Sequence, residues 1–201
     1  MENGVINIYP EYKYQIIEGF GGAITESVAY LLDTMSEKDA MELLKEYFGA
    51  DGYNYKFVRM HLDSCDYSLE EYQAVEDPIA DPDFKTFSIE RDKKYAIKWL
   101  KKAMEISAEP INVLVSPWSP PKQWKTPPIK KANDAATYGA LEKFMPKIDY
   151  ETPSRCNGGK LKKEYYGDWA RYLVKYIKAY MDEGIPVTML SIQNESVAAT
   201  N

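Results

Sequence analysis

The sequence predicts an α/β fold of the (β/α)8 TIM-barrel type, with about the first four β/α units present in its 201 residues. Three observations carry this reading. Four strand-like runs alternate with three helix-like ones, the pattern of parallel βαβ units. Connections from helix to strand are short (49–55, 107–110, 184–186), whereas those from strand to helix are long (64–88, 119–163). Long connections with little structure of their own tend to carry function. Here they gather at the C-terminal ends of the strands, the end that bears active sites in barrels and in open α/β sheets. Finally, the second strand alternates apolar with polar residues, so that one of its faces is lined by charged and titratable groups.

The elements follow in order. After a short extended start at 5–9, the first strand is read at 19–25. A helix over 36–48 has Ser36 as its N-cap, Ala40, Met41, Leu43, Leu44 and Tyr47 as its apolar positions, and Gly49 as its stop. The second strand, 56–63, sends Val58, Met60 and Leu62 one way and Arg59, His61 and Asp63 the other. Those three are either the lining of a catalytic interior or a satisfied structural network, since inward polar groups need partners in both cases. A helix over 89–106 follows Ser88 and buries Ile97, Leu100, Ala103 and Met104; the third strand is 111–116. The clearest helical period is at 164–183: Trp169, Tyr172, Leu173, Tyr176, Ile177 and Tyr180. Gly184 and Pro186 end it, and 187–193 supplies the fourth strand.

An open flavodoxin-like sheet is the competing architecture. It wants a phosphate-cradling first loop, and Gly19-Phe20-Gly21-Gly22 fits neither the P-loop nor the dinucleotide fingerprint. Close backbone packing at the first strand accounts better for these glycines.

Composition narrows the function. With 45% hydrophobic and 13% aromatic residues, the chain can bury one substantial core. A net charge of −6 argues against a nucleic-acid partner, which wants a basic face. There are 17 Tyr and 4 Trp against 6 Phe. Aromatic rings with a polar edge suit sugars, although ordinary helix packing accounts for most of them. Cys65 and Cys156 are the only cysteines and His61 is the only histidine, so a zinc site is not expected; a Cys65–His61 nucleophilic pair lacks any surrounding signature. No run approaches the ~18 apolar residues needed to span a bilayer, and residues 1–20 contain no apolar secretory h-region.

The sharpest constellation is Ser191-Ile192-Gln193-Asn194-Glu195, which closes the fourth strand. A Glu at such a strand end projects into a cleft where a general acid works. An adjacent Asn can bond a sugar 2-hydroxyl, a contact that strengthens at an oxocarbenium-like transition state. The alternative is a solvated loop Glu.

At this point the sequence resembles glycoside hydrolase family 30, the glucosylceramidase-like group. The motifs that match, in order, are Gly19-Phe20-Gly21-Gly22-Ala23-Ile24-Thr25, Arg59 with Ser64-Cys65-Asp66-Tyr67-Ser68, Ser116-Pro117-Trp118-Ser119-Pro120-Pro121 and Gln193-Asn194-Glu195; Trp169-Ala170-Arg171-Tyr172 matches as well. The resemblance implies a retaining glycoside hydrolase acting on β-glycosidic bonds. Glu195 would be its general acid/base, Asn194 its partner at the 2-hydroxyl, Asp66 and Trp118 binders of the terminal sugar, and Arg59 a neighbour of the active-site carboxylates. It implies no metal or organic cofactor, and a carbohydrate or glycolipid as substrate. Ser196 departs from the pattern, which commonly has Pro there.

A complete barrel needs about 250 residues, so 16–201 reads as its N-terminal half and 1–15 as an extended segment belonging to a flanking β-domain. The family's nucleophilic glutamate would then lie in a later strand, which leads to two expectations: that this chain alone is inactive, and that its open half-barrel can self-associate. A non-catalytic carbohydrate-binding or assembly half-barrel is the alternative from another functional class.

Overall fold

The computed structural model describes residues 4, 6–127 and 158–196. Among them, four parallel strands lie side by side in chain order: β1 (Gly21–Ala23), β2 (Phe57–Leu62), β3 (Asn112–Pro117) and β4 (Val187–Leu190). Val58 is in register with Gly22 and with Val113, and His61 with Ser116; the ladder from β3 to β4 shifts between Val113 and Leu114. Strands in sequential order have no reversal and hence no topological switch point of the kind an open doubly wound sheet requires. The sheet is part of a (β/α)8 barrel.

Helices connect the strands: α1 (Glu26–Thr34), α2 (Glu37–Phe48), a short α3 (Glu90–Asp92) that runs through a π-helical segment (Lys93–Ile97) into α4 (Lys98–Ile106), and α5 (Tyr166–Asp182). The N-cap of α2 is Ser36, whose hydroxyl accepts from the Asp39 N–H at 3.2 Å, as the sequence predicts. Helix α1 was not anticipated. Its signals are present in Thr25, which caps it by accepting from Val28 N–H at 3.4 Å, and in the buried pair Ala29 and Leu32. It takes up the end of the run read as the first strand, so β1 holds three residues. Gly21 has no alternative there, because a Cβ would sit 2.0 Å from the Phe57 carbonyl oxygen. The extended start at 5–9 forms no strand among the described residues, and Cys156 lies outside them.

Val58, Met60 and Leu62 of β2 and Val113 and Val115 of β3 are buried together with Leu32, Leu44, Leu100 and Leu173 from the helices. Leu43 and Tyr47 of α2, expected in the core, are instead more than a third exposed. Their positions flank the buried stripe Ala40, Leu44 and Phe48, which is narrower than the period alone implies.

The open question about β2 resolves residue by residue. Asp63 follows the strand with a left-handed backbone (φ 58°), which takes it out of the alternation. Its carboxylate accepts from the Tyr172 hydroxyl of α5 at 2.9 Å and from Ala74 N–H at 2.7 Å. Asp92 accepts from the hydroxyls of Tyr72 (2.9 Å) and Tyr176 (3.0 Å), and Tyr176 in turn accepts from Asp63 N–H. The His61 Nε2 accepts from Glu26 N–H at 3.2 Å, so the ring proton sits on Nδ1, which donates to the Asp63 carbonyl at 2.7 Å. His61 and Asp63 therefore form a structural network, and neither ring nitrogen is left for a thiol. The tyrosine stripe of α5 is tyrosine, not phenylalanine, because its hydroxyls partner buried carboxylates.

Burial pushes Asp92 above the usual carboxylate range, and it raises Asp63 to about 7 against the Ala74 and Tyr172 hydrogen bonds that pull it down. The folded chain thus keeps a proton that the unfolded chain releases between about pH 4 and pH 7. The contribution of Asp63 to stability should fall as the pH rises through that window and level off above it, with Asp92 acting in the same direction. Urea unfolding at about pH 5 and pH 8 measures this; Asp63→Asn should flatten the difference, and an unchanged slope would refute the assignment.

Candidate active site

Toward the C-terminal end of the sheet, one guanidinium joins β2, β3 and the turn that follows β4. Arg59 of β2 donates from Nη2 to the Ser116 hydroxyl of β3 at 3.0 Å and to Asn194 Oδ1 beyond β4 at 2.5 Å. Its Cζ lies over the indole of Trp118, 4.4 Å from the ring centroid. A planar fork of donors can make both bonds and the stack at once, which an ammonium cannot.

The guanidinium also fixes the Asn194 amide. Arginine has only donors, so the atom facing it is the amide oxygen, and the amide nitrogen remains available as a donor. The backbone is secured separately, with Asn194 N–H donating to the Pro117 carbonyl at 2.9 Å. Gln193 adds a third tie, donating from Nε2 to the Trp118 carbonyl at 2.7 Å. Glu195 follows directly, in a turn after β4, exposed and with a left-handed backbone (φ 45°). The strand ends at Leu190 and not at 193, so Glu195 is carried by a turn docked on β3 and the loop that follows it.

The structure thus joins Arg59, Trp118 and Asn194, with Glu195 beside them in sequence. Asp66 is exposed in the loop after β2, and no hydrogen bond among the described residues links it or Glu195 to the Arg59 cluster. Three contributors carried no assigned role in the sequence reading. Ser116 and Gln193 lie inside the quoted motifs, and their roles appear only when β3 and β4 are paired. Lys125 is buried (2% exposed), with its ammonium bonded to the Ser119 hydroxyl and the Gly158 carbonyl at 2.8 Å, so it braces the loop that carries Trp118. Its partner Gly158 is 33 residues away, beyond any local signal.

Among the described residues, no cluster of three or more His, Cys, Asp or Glu side chains is placed to hold a metal ion, and no helix is long and apolar enough to cross a membrane.

Comparison with known proteins extends this geometry. The family model for the glycosyl hydrolase family 30 TIM-barrel domain matches residues 17–201. The lysosomal acid glucosylceramidase of Mus musculus is 30% identical over 200 residues, covering 96% of this chain and 34% of that protein. An endo-1,6-beta-D-glucanase of Aspergillus fumigatus is 27% identical over 183 residues, covering 90% of this chain and 35% of its own length. Among solved structures, SrfJ from Salmonella typhimurium superposes with a TM-score of 0.75 at 35% identity, covering 94% of this chain and 36% of that one. The chain spans about a third of the length of the curated relatives it matches.

The Arg59 hub can be tested without any substrate. Arg59→Lys keeps the charge but loses the fork and the planar stack. It should cost roughly 1–3 kcal/mol in denaturant unfolding. It should also shift the fluorescence of Trp118, isolated by difference against Trp118→Phe. Unaltered stability and emission would show that the contacts carry no weight.

Proposed function

The chain belongs to glycosyl hydrolase family 30, and from that premise we propose that it supplies the acid/base half of a retaining β-glycosidase, with Glu195 as the proton-transferring carboxylate. The observation that carries this reading is the Arg59 hub. It ties β2 to the end of β3 and to the turn after β4, and by holding the amide oxygen of Asn194, immediately before Glu195, it leaves that amide's nitrogen to donate. A donor held there suits a sugar 2-hydroxyl, whose hydrogen bond strengthens as the anomeric centre gains positive charge. Trp118, half-buried with the Arg59 guanidinium over its ring, is the aromatic we place against a sugar ring. Asp66, exposed and acidic, accepts hydrogen bonds from the hydroxyls of the terminal sugar.

In this reaction Glu195 protonates the departing glycosidic oxygen while a second carboxylate attacks the anomeric carbon. It then takes the proton of the water that opens the glycosyl-enzyme. We assign the nucleophile to another strand of the complete barrel, about 5–5.5 Å from Glu195 as retaining chemistry requires. Acid catalysis without that partner leaves the retaining route closed, so residues 1–201 alone should not hydrolyse aryl glycosides. Hydrolysis by the purified chain that Glu195→Gln abolishes would place the nucleophile within it.

For the substrate we propose a β-glucoside. Relatives named for glucosylceramide and for 1,6-linked β-glucan have a glucosyl unit in common, and the leaving group, lipid or glycan, differs between them.

The decisive test is Glu195→Gln in the full-length protein. Substrates whose leaving group needs a proton should lose about 10²–10⁴-fold in rate. Activated aryl glucosides should instead show a burst, because the first step proceeds unaided and the second lacks its base. Azide, which needs no base, should restore turnover and yield a glucosyl azide of retained configuration. Equal slowing of both substrate types with no effect of azide would remove Glu195 from the role.

A further inference from the structure

The loop between β2 and α3 carries Asp66, and its anchorage points to a residue outside the recognised motif set. Glu26, at the first position of α1, keeps only 2% of its side chain exposed. A carboxylate so placed needs compensation, and Arg91 provides it by gripping both oxygens, at 2.6 and 3.1 Å. The same Arg91 bonds Glu70 at 2.8 Å and lies over the Tyr72 ring, 4.4 Å from its centroid. Glu26 also accepts the Leu69 N–H at 2.8 Å. Its neighbour Ser27 donates to the Tyr67 carbonyl from both its backbone N–H (3.0 Å) and its hydroxyl (2.7 Å). On the near side, Ser64 N–H donates to the Tyr72 carbonyl, and a turn from Cys65 to Ser68 is closed by Ser68 N–H on the Cys65 carbonyl and Cys65 N–H on the Ser68 hydroxyl. Asp66 is the exposed corner between these fixed points.

We propose that Glu26, held by Arg91, is a positioning residue that sets the Asp66 turn for sugar binding by clamping residues 67–69 to the start of α1. The ion pair is buried on the carboxylate side and ties three chain segments at one point: α1, the loop and the helix that follows it. The bond from Leu69 N–H to Glu26 fixes the far end of the exposed turn, and the Ser27 bonds to Tyr67 fix its middle. This inference rests on the sugar-binding role proposed for Asp66, and the clamp acts only through that residue.

The test compares Asp66→Ala, Glu26→Gln and the double variant in the full-length protein, with 4-nitrophenyl β-D-glucopyranoside as substrate and hydrogen exchange over residues 64–70 as a second readout. Asp66→Ala should raise KM by about tenfold or more, as expected for a lost hydrogen bond to a charged group. Glu26→Gln should raise KM by roughly 3–10-fold with little change in kcat, and should speed exchange at Leu69. Because the clamp acts through Asp66, the double variant should bind no worse than Asp66→Ala alone. A purely structural role would lower the active fraction, and so kcat, while leaving KM in place. If Glu26→Gln does not fold, Ser27→Ala removes one bond to the same turn and should shift KM in the same direction. Additive effects in the double variant, or unchanged KM and exchange in Glu26→Gln, would overturn the clamp while leaving Asp66 as a sugar ligand. An Asp66→Ala variant with unaltered KM would overturn the reading of Asp66 and the clamp with it.

Discussion

Two carboxylates withdrawn from water, Asp63 and Asp92, set the terms for the rest of this structure. An unpartnered charge at such depth would cost more than a domain's whole margin of stability, so each must find donors or hold a proton. The donors come from elsewhere in the chain: Tyr72 from the loop after β2, Tyr172 and Tyr176 from α5, and the N–H of Ala74. Satisfying them fixes where β2 ends, how the loop leaves it and how α5 is rotated against the sheet. A buried polar network is tolerated only when every member is matched. This one therefore specifies geometry more strictly than an apolar contact of the same area.

That geometry then divides the labour of a single strand. Position 59 sends an arginine to the site residues, while positions 61 and 63 are spent on the fold. Arg59 depends on the division, because its bonds to Ser116 and Asn194 require β2 and β3 to keep their register and the turn after β4 to stay docked. Two buried anchors hold the loop after β2, the carboxylate–tyrosine network at 72–74 and the Glu26–Arg91 pair at 67–69. The candidate site thus stands on a scaffold whose polar groups are already engaged, which is the condition for holding catalytic side chains to a fraction of an ångström.

How much of this could be read beforehand follows from the range over which each signal acts. Local signals were legible: the Ser36 cap, the stripe of α5, the strand that carries Arg59 and the motifs after β3 and β4 that carry Trp118 and Asn194. Helix α1 was lost because a glycine-rich strand ran straight into it with no turn residue between, and the Thr25 cap was absorbed into the strand. The destination of Asp63 was not legible, since alternation assumes an extended backbone and the left-handed turn there is dictated by Tyr172, 109 residues away. Lys125 and Glu26 were missed for a related reason. A buried charge looks like any surface charge until its distant partner, Gly158 for one and Arg91 for the other, is in place.

Backbone conformation supplies an argument that sequence pattern cannot. Among the described residues, four non-glycine positions have positive φ: Asn54, Asp63, Phe84 and Glu195. Asparagine and aspartate accept this conformation readily. Phe84 does not, but its ring is buried against Trp124 and Tyr172, and that packing offsets the strain. Glu195 has no such compensation among the described residues, being exposed in a turn where glycine would be at ease. Strain of this kind costs on the order of 1–3 kcal/mol and persists where something other than stability holds it. What distinguishes a glutamate from a glycine at that corner is its carboxyl group, on the residue directly after Asn194. The residue choice there runs against the backbone, which accords with the chemical role proposed for the side chain.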